Sequence, residues 1–301
     1  MAGIPLTRFG PDKGGNYEYQ WSGSFLQAHF LSDIGKKRDH NEDSCVLCAP
    51  DDESLTRERG ILFAVADGMG GASAGEFASR LALQTLTEEY FLGPPGPVPS
   101  GMRQAIEKAN RRIYEEAEHN PEYQGMGTTV SALLIKDEWA YVAQVGDSRV
   151  YVARNASVLQ QVTDDHSLVA EQIREGFLTE EEAKNHSLRN LITRAVGIKE
   201  VVNVDLFAFK IRQGDTIVVC SDGLSNMVSN DDIRTALGNE NLQGVGRVLV
   251  GRALEGGGSD NITVILVRAA APPPRGAVDE GAEILRIGHG GFLDSLRKLI
   301  S

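Results

Sequence analysis

The stretch from Ile61 to Gly75 restricts the fold of this chain more than any other, because in it an apolar run ends on a carboxylate. Ile61 to Ala66 form an unbroken apolar run of strand length, and Asp67 follows directly. Four glycines stand among the next eight residues. A carboxylate at the rim of an apolar layer requires a cation or hydrogen-bond donors, and glycines let the backbone approach such a ligand. A plain strand-to-helix turn with Asp67 as N-cap fits equally well, so the rest of the chain decides.

Composition and charge narrow the class of protein. The chain has 301 residues, 41% hydrophobic and 24% charged, which predicts a globular protein of one large or two small domains. Its formal charge of -12 argues against a nucleic-acid partner, because phosphate backbones are bound by basic surfaces. No apolar run approaches the ~20 residues that span a bilayer. We expect neither a membrane span nor a leader at Met1 to Ile4, and hence a cytoplasmic protein. Three cysteines give no disulfide framework.

Periodicity divides the chain into an irregular lead-in, a mixed body and a tail. Residues 1–22 lack either apolar period and predict irregular structure, with order beginning near Phe25. Apolar residues at threes and fours predict a helix over 73–91 and a second over about 102–117, which together would cover one face of a sheet. Short β-rich runs between 130 and 162 predict an antiparallel meander. The polar segment at about 165–191 predicts a flap, with a capping box from Thr179 to Glu182.

Further carboxylates stand at strand ends like that of Asp67. Asp222 follows the apolar run Thr216 to Cys220, Asp260 precedes the strand-like Ile262 to Val267, and Glu42-Asp43 precede a short apolar segment. Together these groups would form an all-oxygen ligand set once the strands pack, which selects Mg²⁺ or Mn²⁺ over zinc. Asp147, between two β-rich runs, reads on spacing alone as a turn residue.

The order of motifs resembles the metal-dependent protein serine/threonine phosphatases of the PP2C type, in their bacterial form. The motifs are RDHNED (38–43), VADGMGG (65–71), GTT (127–129), VGDSRVY (145–151), TDDHS (163–167), LITRAVG (191–197), CSDGLSN (220–226) and GGSDNITVILV (257–267). They cover about Phe25 to Arg268, which predicts a phosphatase domain over 23–268. The resemblance implies an α+β fold, a four-layer α/β/β/α sandwich of two antiparallel sheets flanked by helices.

The resemblance also implies a site and a reaction. The implied reaction is hydrolysis of phosphoserine and phosphothreonine in proteins by a metal-bridging hydroxide. Arg38 would grip the substrate phosphate, and the flap would border the cleft. The implied metal set is Asp67 bridging two ions, the Gly68 carbonyl, Asp222 and Asp260, Glu42 and Asp43 through water, and Asp147 for a possible third ion.

One position departs from the eukaryotic pattern, which has a histidine after the Asp-Gly where this chain has Met69. Met69 cannot donate a proton, so we expect a metal-bound water rather than His40 to serve the leaving group. A cysteine-dependent phosphatase would need an arginine six residues after its cysteine, and none follows here. A redox or zinc half-site at Cys45 and Cys48 lacks a second pair. The alternative is a non-catalytic partner-switch module of the same fold.

The tail and the partners are the least determined by the sequence. Residues 269–301 read as a proline-rich linker followed by a short amphipathic stripe, Phe292 to Ile300, which would dock on the enzyme's own body, dock on a partner or stay disordered. The expected partners are phosphoprotein substrates and a cognate Ser/Thr kinase, and we expect a monomer.

Overall fold

The computed structural model describes residues 6–154, 158–184, 186–239, 241–270 and 282–288, which form one four-layer sandwich. The strands are β1 (Leu6–Gly10), β2 (Tyr17–Ser22), β3 (Leu26–Asp33), β4 (Asp43–Ala49), β5 (Ile61–Met69), β6 (Gly127–Thr128), β7 (Val130–Lys136), β8 (Trp139–Val145), β9 (Arg149–Arg154), β10 (Val158–Gln161), β11 (Asp205–Lys210), β12 (Thr216–Cys220), β13 (Ile262–Ala269) and β14 (Leu285–Arg286). The helices are α1 (Glu53–Arg59), α2 (Ala72–Leu92), α3 (Val98–His119), α4 (Leu168–Arg174), α5 (Glu180–Lys184), α6 (Asp222–Ser225), α7 (Asn230–Leu237) and α8 (Leu242–Glu255). None of the described helices is long and apolar enough to cross a membrane.

Two antiparallel sheets form the inner layers. Within the described residues, the larger sheet has the order β1-β4-β5-β7-β8-β11-β14, with β6 beside the end of β5. The smaller sheet has the order β10-β9-β12-β13-β3-β2. Neighbouring strands pair antiparallel throughout both sheets. The long buried runs in β5, β12 and β13 arise because the central strands are covered on both faces.

Three apolar layers hold the sandwich together. The layer between the sheets is built around stacked aromatic rings, among them Phe30 and Phe63, whose centroids lie 6.2 Å apart. The outer layers bury α2 and α3 against the larger sheet, and α7 and α8 against the smaller one. Alternate residues of each central strand therefore enter different layers, as the period of two requires. The predicted four-layer α/β/β/α fold is confirmed.

Helix ends follow the local sequence signals. Ser229 accepts a hydrogen bond from the Asp232 amide and begins α7. In the flap, Thr179 and Glu182 form the predicted capping box: the Thr179 amide donates to the Glu182 carboxylate, and the Glu182 amide donates to the Thr179 hydroxyl. The two long predicted helices are confirmed with bounds one to four residues wider.

The prediction of an irregular lead-in is wrong. β1 pairs with β4 at the edge of the larger sheet, and β2 pairs with β3 at the edge of the smaller one. In β2 the rings of Tyr17, Tyr19 and Trp21 are half-buried and pack on the layer between the sheets, while the intervening polar side chains face outward. This period-two pattern was present in the sequence, but glycines and polar residues around it concealed it. The lead-in therefore protects one edge of each sheet.

The predicted meander between 130 and 162 is wrong in its pairing. β7 and β8 form a hairpin in the larger sheet, whereas β9 and β10 form a hairpin in the smaller sheet. The loop between them, Gly146 to Ser148, is where the chain crosses from one sheet to the other. Tight turns in sequence predict hairpins, but distant partners decide the sheet: β11 for β8, and β12 for β9.

The described part of the tail adds a strand that the sequence did not predict. Residues 282–288 return to the larger sheet, where Leu285 and Arg286 pair with β11 and the Ile287 amide donates to the Leu206 carbonyl. Ile287 is buried beneath this edge. The predicted proline-rich linker falls mostly, and the amphipathic stripe wholly, outside the described residues.

Candidate active site

The predicted acidic residues come from both sheets and lie at one end of the sandwich. Asp43 begins β4 and stands directly opposite Asp67 of β5. Asp222 follows β12, and Asp260 precedes β13, the neighbour of β12. The Ser221 hydroxyl donates to Asp43 Oδ2 at 2.8 Å and so joins the two sheets at this point. We call this group the acidic rim: Glu42, Asp43, Asp67, Asp147, Asp222 and Asp260.

Two glycines let the backbone close around the acidic rim. A Cβ on Gly68, after Asp67, would lie 2.1 Å from the Gly75 carbonyl oxygen. A Cβ on Gly223, after Asp222, would lie 1.9 Å from the Asn261 carbonyl oxygen. Since no side chain fits at these distances, each Asp-Gly pair is where one segment of backbone passes against another. The strand β5 continues two residues beyond Asp67, because Gly68 and Met69 pair with β6.

Burial and neighbouring carboxylates together raise the pKa values of the acidic rim. Burial, aided by the charges of Asp43, Asp222, Asp147 and Asp260, raises the pKa of Asp67 well above its usual range. Burial raises the pKa of Asp43 to about 7 and that of Asp222 to about 6, in each case with the Asp260 charge adding to the rise. Like charges that converge without a cation are expected to behave in this way.

Asp147 lies in the crossing loop between β8 and β9. Its side chain is buried, and burial, with the charge of Asp222 adding, raises its pKa to about 8. One buried carboxylate oxygen on each of three residues, Asp43, Asp147 and Asp222, has no hydrogen-bond partner. Buried acceptors of this kind are rare and require an explanation.

A divalent cation fits these residues. The donors are carboxylate and backbone oxygens, the ligands that Mg²⁺ and Mn²⁺ prefer, and three of them are buried without partners. Within the described residues, no group of three or more acidic, histidine or cysteine side chains is already close enough together to hold a metal ion. A cation bound among these carboxylates would relieve their mutual repulsion.

The loop 34–42 carries Arg38 and Glu42 to the acidic rim. Arg38 Nη2 donates to Asp260 Oδ2 at 2.9 Å, and the charges of Asp260, Glu42 and Asp67 raise its pKa against the lowering effect of burial. Asn261 holds the loop in place: its side-chain amide donates to the Ile34 and His40 carbonyls, and its Oδ1 accepts from the Glu42 amide at 2.8 Å. Asn261 therefore fixes the position of the Arg38 loop relative to the acidic rim.

Several polar residues that support the acidic rim had no role in the sequence analysis. The Thr129 hydroxyl accepts from the Asp67 amide at 3.0 Å and lies 2.7 Å from the Ser148 hydroxyl, which links Asp67 to the Asp147 loop. Ser221 and Asn261 support the rim as described above. Ser148, Ser221 and Asn261 each adjoin a rim aspartate in sequence, and that adjacency was the available signal.

A second charged group lies behind the Asp147 loop, at the base of the flap. We call it the arginine network: Asp164, His166, Arg194, Asp205 and Arg286. His166 Nδ1 accepts from the Gly146 amide at 3.0 Å, and Nε2 lies 3.2 Å from Asp205 Oδ2. Arg194 Nη1 lies 2.9 Å from Asp205 Oδ1. Although burial opposes the change, His166, Arg194 and Arg286 lower the pKa of Asp205 far below its usual range.

The other candidate groups are in settings that do not suit catalysis. His40 Nε2 contacts Glu76 Oε2 at 2.5 Å. Burial raises the pKa of Cys45, Cys48 and Cys220 to about 12, which keeps the thiols protonated. Cys45 faces the layer between the sheets and Cys48 faces α2 and α3, so the pair cannot share one metal ion.

Comparison with known proteins gives relatives of one kind. The family profile Protein phosphatase 2C matches residues 36–247. The serine/threonine phosphatase stp of Listeria monocytogenes is 37% identical over 80% of this chain and 95% of its own length. The crystal structure of Mycobacterium tuberculosis PstP/Ppp, a serine/threonine phosphatase, has 36% identity and a TM-score of 0.73 over 82% of this chain and 100% of that one. A PstP catalytic domain in complex with two manganese ions has 36% identity and a TM-score of 0.70 over 81% and 98%.

These similarities agree with one another in extent and in fold. The matched region contains most of the larger sheet, three of the six strands of the smaller one, α2, α3 and the loop that carries Arg38 and Glu42. The relatives are covered over nearly their whole length, so the likeness is not confined to a shared motif. The chain belongs to the protein phosphatase 2C family.

Proposed function

We propose that this chain hydrolyses phosphoserine and phosphothreonine in proteins, with Mn²⁺ or Mg²⁺ bound at the acidic rim. The observation that carries the proposal is the convergence of carboxylates from both sheets, three with unpartnered buried oxygens, beside an arginine. When bound, two divalent ions supply Lewis acidity, a water of lowered pKa and a clamp for the phosphoryl group.

Each rim residue has an assigned part in holding the ions. Asp67 would serve both ions, as the family resemblance implies, and it stands opposite Asp43 of the neighbouring strand. The Gly68 carbonyl would be a backbone ligand, and Asp222 and Asp260 would hold the second ion. Ser221 occupies Asp43 Oδ2, which leaves the unpartnered Oδ1 for metal-bound water. Glu42 would likewise act through water, and Asp147 would bind a third, looser ion.

Arg38 is the proposed phosphate-binding group. Its side chain is 45% exposed, and its guanidinium already contacts the rim at Asp260. A planar fork matches two phosphoryl oxygens at once, which a lysine ammonium cannot do. Asn261 sets the position of Arg38 because it fastens the loop on both sides of the arginine.

No side chain is assigned as proton donor to the leaving group. Met69 has no proton to give, and His40 Nε2 contacts Glu76 rather than a rim residue. The chain's own groups therefore bind, orient and neutralise charge, which are the dominant parts in phosphoryl transfer.

The cellular setting follows from the activity. Phosphoproteins are the substrates, and a bacterial-type Ser/Thr kinase is the enzyme whose products this chain would remove. We propose a cytoplasmic monomer. The Listeria relative is named a serine/threonine phosphatase, and at 37% identity its substrate class supports the same class here.

Hydrolysis of synthetic phosphopeptides tests the proposal. Purified full-length chain is assayed on phosphothreonine, phosphoserine and phosphotyrosine peptides with Mn²⁺, with Mg²⁺ and with chelator. We expect turnover of the first two with either metal and none with chelator. Undiminished turnover in chelator would refute the metal-dependent mechanism. Tight Mn²⁺ binding without turnover of any peptide would instead support the partner-switch module.

A further inference from the structure

The arginine network extends beyond the part of the chain that the family profile matches. The profile ends at residue 247, whereas Arg286 lies in β14, which returns to the sheet after the linker. Arg286 Nη1 donates to Asp164 Oδ2 at 2.7 Å, and Nη2 donates to Asp205 Oδ2 at 2.5 Å. One guanidinium thus bridges Asp164, just before the flap, and Asp205 at the start of β11.

The position of Arg286 is fixed from three sides. Its backbone pairs with Phe207 of β11, and its guanidinium carbon lies 5.6 Å from the centre of the Phe207 ring. The next residue, Ile287, is buried and donates its amide to the Leu206 carbonyl. The two carboxylates hold the far end of the side chain. The backbone of β14, the Phe207 ring and the two carboxylates therefore hold the Arg286 guanidinium in one position.

From Asp205 the contacts lead directly to the Asp147 loop. A backbone amide can only donate, so the Gly146 amide requires an unprotonated Nδ1 on His166, and the neutral ring carries its proton on Nε2. Nε2 then donates to Asp205 Oδ2 at 3.2 Å, the same oxygen that Arg286 holds. Arg194 Nη1 also lies 3.0 Å from Nε2, but it donates to Asp205 Oδ1 and finds no acceptor on the protonated Nε2. The His166 amide also donates to the Gly146 carbonyl, so Gly146 is held on both sides.

We propose that Arg286 is a positioning residue for the loop that carries Asp147, acting through Asp205 and His166. The proposal rests on the proposed function in taking Asp147 as a metal ligand. Arg286 orients Asp205, Asp205 fixes the ring and tautomer of His166, and His166 fixes Gly146 next to the ligand. Outer contacts of this type orient metal ligands and tune affinity. The C-terminal strand is by this route part of the support of the active site.

Substitution of Arg286 in the full-length chain tests the proposal. Arg286→Gln removes the bridging charge, and Arg286→Lys keeps the charge without the fork. Arg247→Gln is the matched control, since Arg247 is an exposed arginine paired with Glu18 on the far side of the smaller sheet. Thermal unfolding checks that all variants fold, and an exposed ion pair contributes little to global stability.

Two measurements are made on each variant. The first is hydrogen exchange of the Gly146 amide by NMR in metal-free protein, where we expect Arg286→Gln to exchange at least about threefold faster. The second is the Mn²⁺ concentration for half-maximal phosphopeptide turnover. We expect it to rise about threefold to tenfold, below the effect of losing a direct partner of a metal ligand, with kcat at saturating Mn²⁺ little changed. Arg286→Lys should recover only part of both effects.

The outcomes separate this proposal from the proposed function. Unchanged Gly146 exchange in folded Arg286→Gln, equal changes in Arg247→Gln, or full recovery with lysine would each overturn the positioning role. If the wild-type chain has no phosphatase activity, the proposed function fails, and faster Gly146 exchange in Arg286→Gln still supports the chain of contacts.

Discussion

The acidic rim and the arginine network both contain aspartates, but the two surroundings shift the pKa values of those aspartates in opposite directions. In the rim, Asp43, Asp67 and Asp222 lie among other carboxylates, and their pKa values are raised. In the network, Asp205 lies among Arg194, Arg286 and His166, and its pKa is lowered. A carboxylate with a protein cation beside it is a structural part. In the rim, Arg38 pairs with Asp260, and the other carboxylates repel one another until an external cation relieves that repulsion.

The largest expected effect comes from removing the rim residue with the most charged neighbours. Asp67→Asn should reduce kcat/KM by about a thousandfold or more, the scale of losing a whole catalytic group. Calorimetric titration should show loss of the tight Mn²⁺ sites. The matched change in the network, Asp205→Asn, should retain tight binding. Equal loss in both variants would erase the distinction between the two regions.

Arg38 connects the rim to substrate and is expected to have the next largest effect. Arg38→Lys keeps the positive charge near Asp260 but loses the fork, so kcat/KM should fall by about a hundredfold, comparable with removal of one transition-state donor. Tight Mn²⁺ binding should persist. Steady-state kinetics with calorimetry checks this, and lysine activity equal to wild type would mean that charge alone suffices.

Asp147 is one of the rim carboxylates, but the arginine network is proposed to position the loop that carries it. Asp147→Ala should leave the tight two-metal centre intact, reduce turnover about tenfold and raise the Mn²⁺ requirement. Calorimetry and phosphopeptide kinetics measure the two parts separately. Wild-type kinetics in Asp147→Ala would mean that Asp147 is only a turn residue. Loss of the tight Mn²⁺ sites would mean that Asp147 is a ligand of the two-metal centre.

The smallest expected effect is on the stability of the metal-free protein, where removing an aspartate charge should have opposite signs in the two regions. A raised pKa, as at Asp222, gives stability that is present below the unfolded value near 4 and lost as pH rises through about 6. The lowered pKa of Asp205 gives stability that is present above the unfolded value and lost as pH falls through the folded one.

In chelator at pH 7, Asp222→Asn should therefore raise the unfolding temperature, whereas Asp205→Asn should lower it. Towards pH 4 the gain from Asp222→Asn should shrink, because the native carboxylate is then protonated. Thermal unfolding of both variants and wild type between pH 4 and pH 8 measures this. The same sign in both regions would contradict the contrast.

The sequence predicted the rim better than the network for a physical reason. Strand-terminal aspartates in ordered motifs carry a local signal, and Asp67, Asp222 and Asp260 do lie at one end of the sandwich. Asp205, Arg194 and Arg286 are ordinary charged residues whose meaning depends on which strands are neighbours. β14 is a return of distant chain to a sheet edge, and two residues of strand leave no periodic signal.

Local sequence patterns did not show which sheet each strand joins, because the sheet is decided by partners distant in the chain. The crossing at Gly146 to Ser148 looks like another hairpin turn, and only the pairing of β9 with β12 makes it a passage between sheets. That passage places Asp147 among the other rim carboxylates instead of at a sheet edge. The lead-in strand β2 had a period-two signal that was local and was missed.

Anomalous diffraction from crystals grown with Mn²⁺ tests the central claim most directly. The account predicts two strong manganese peaks between Asp67, Asp222 and Asp260, a weaker third peak at Asp147, and none at the arginine network. A folded chain that hydrolyses phosphopeptides but shows no manganese at the acidic rim, or shows it only elsewhere, would contradict the account.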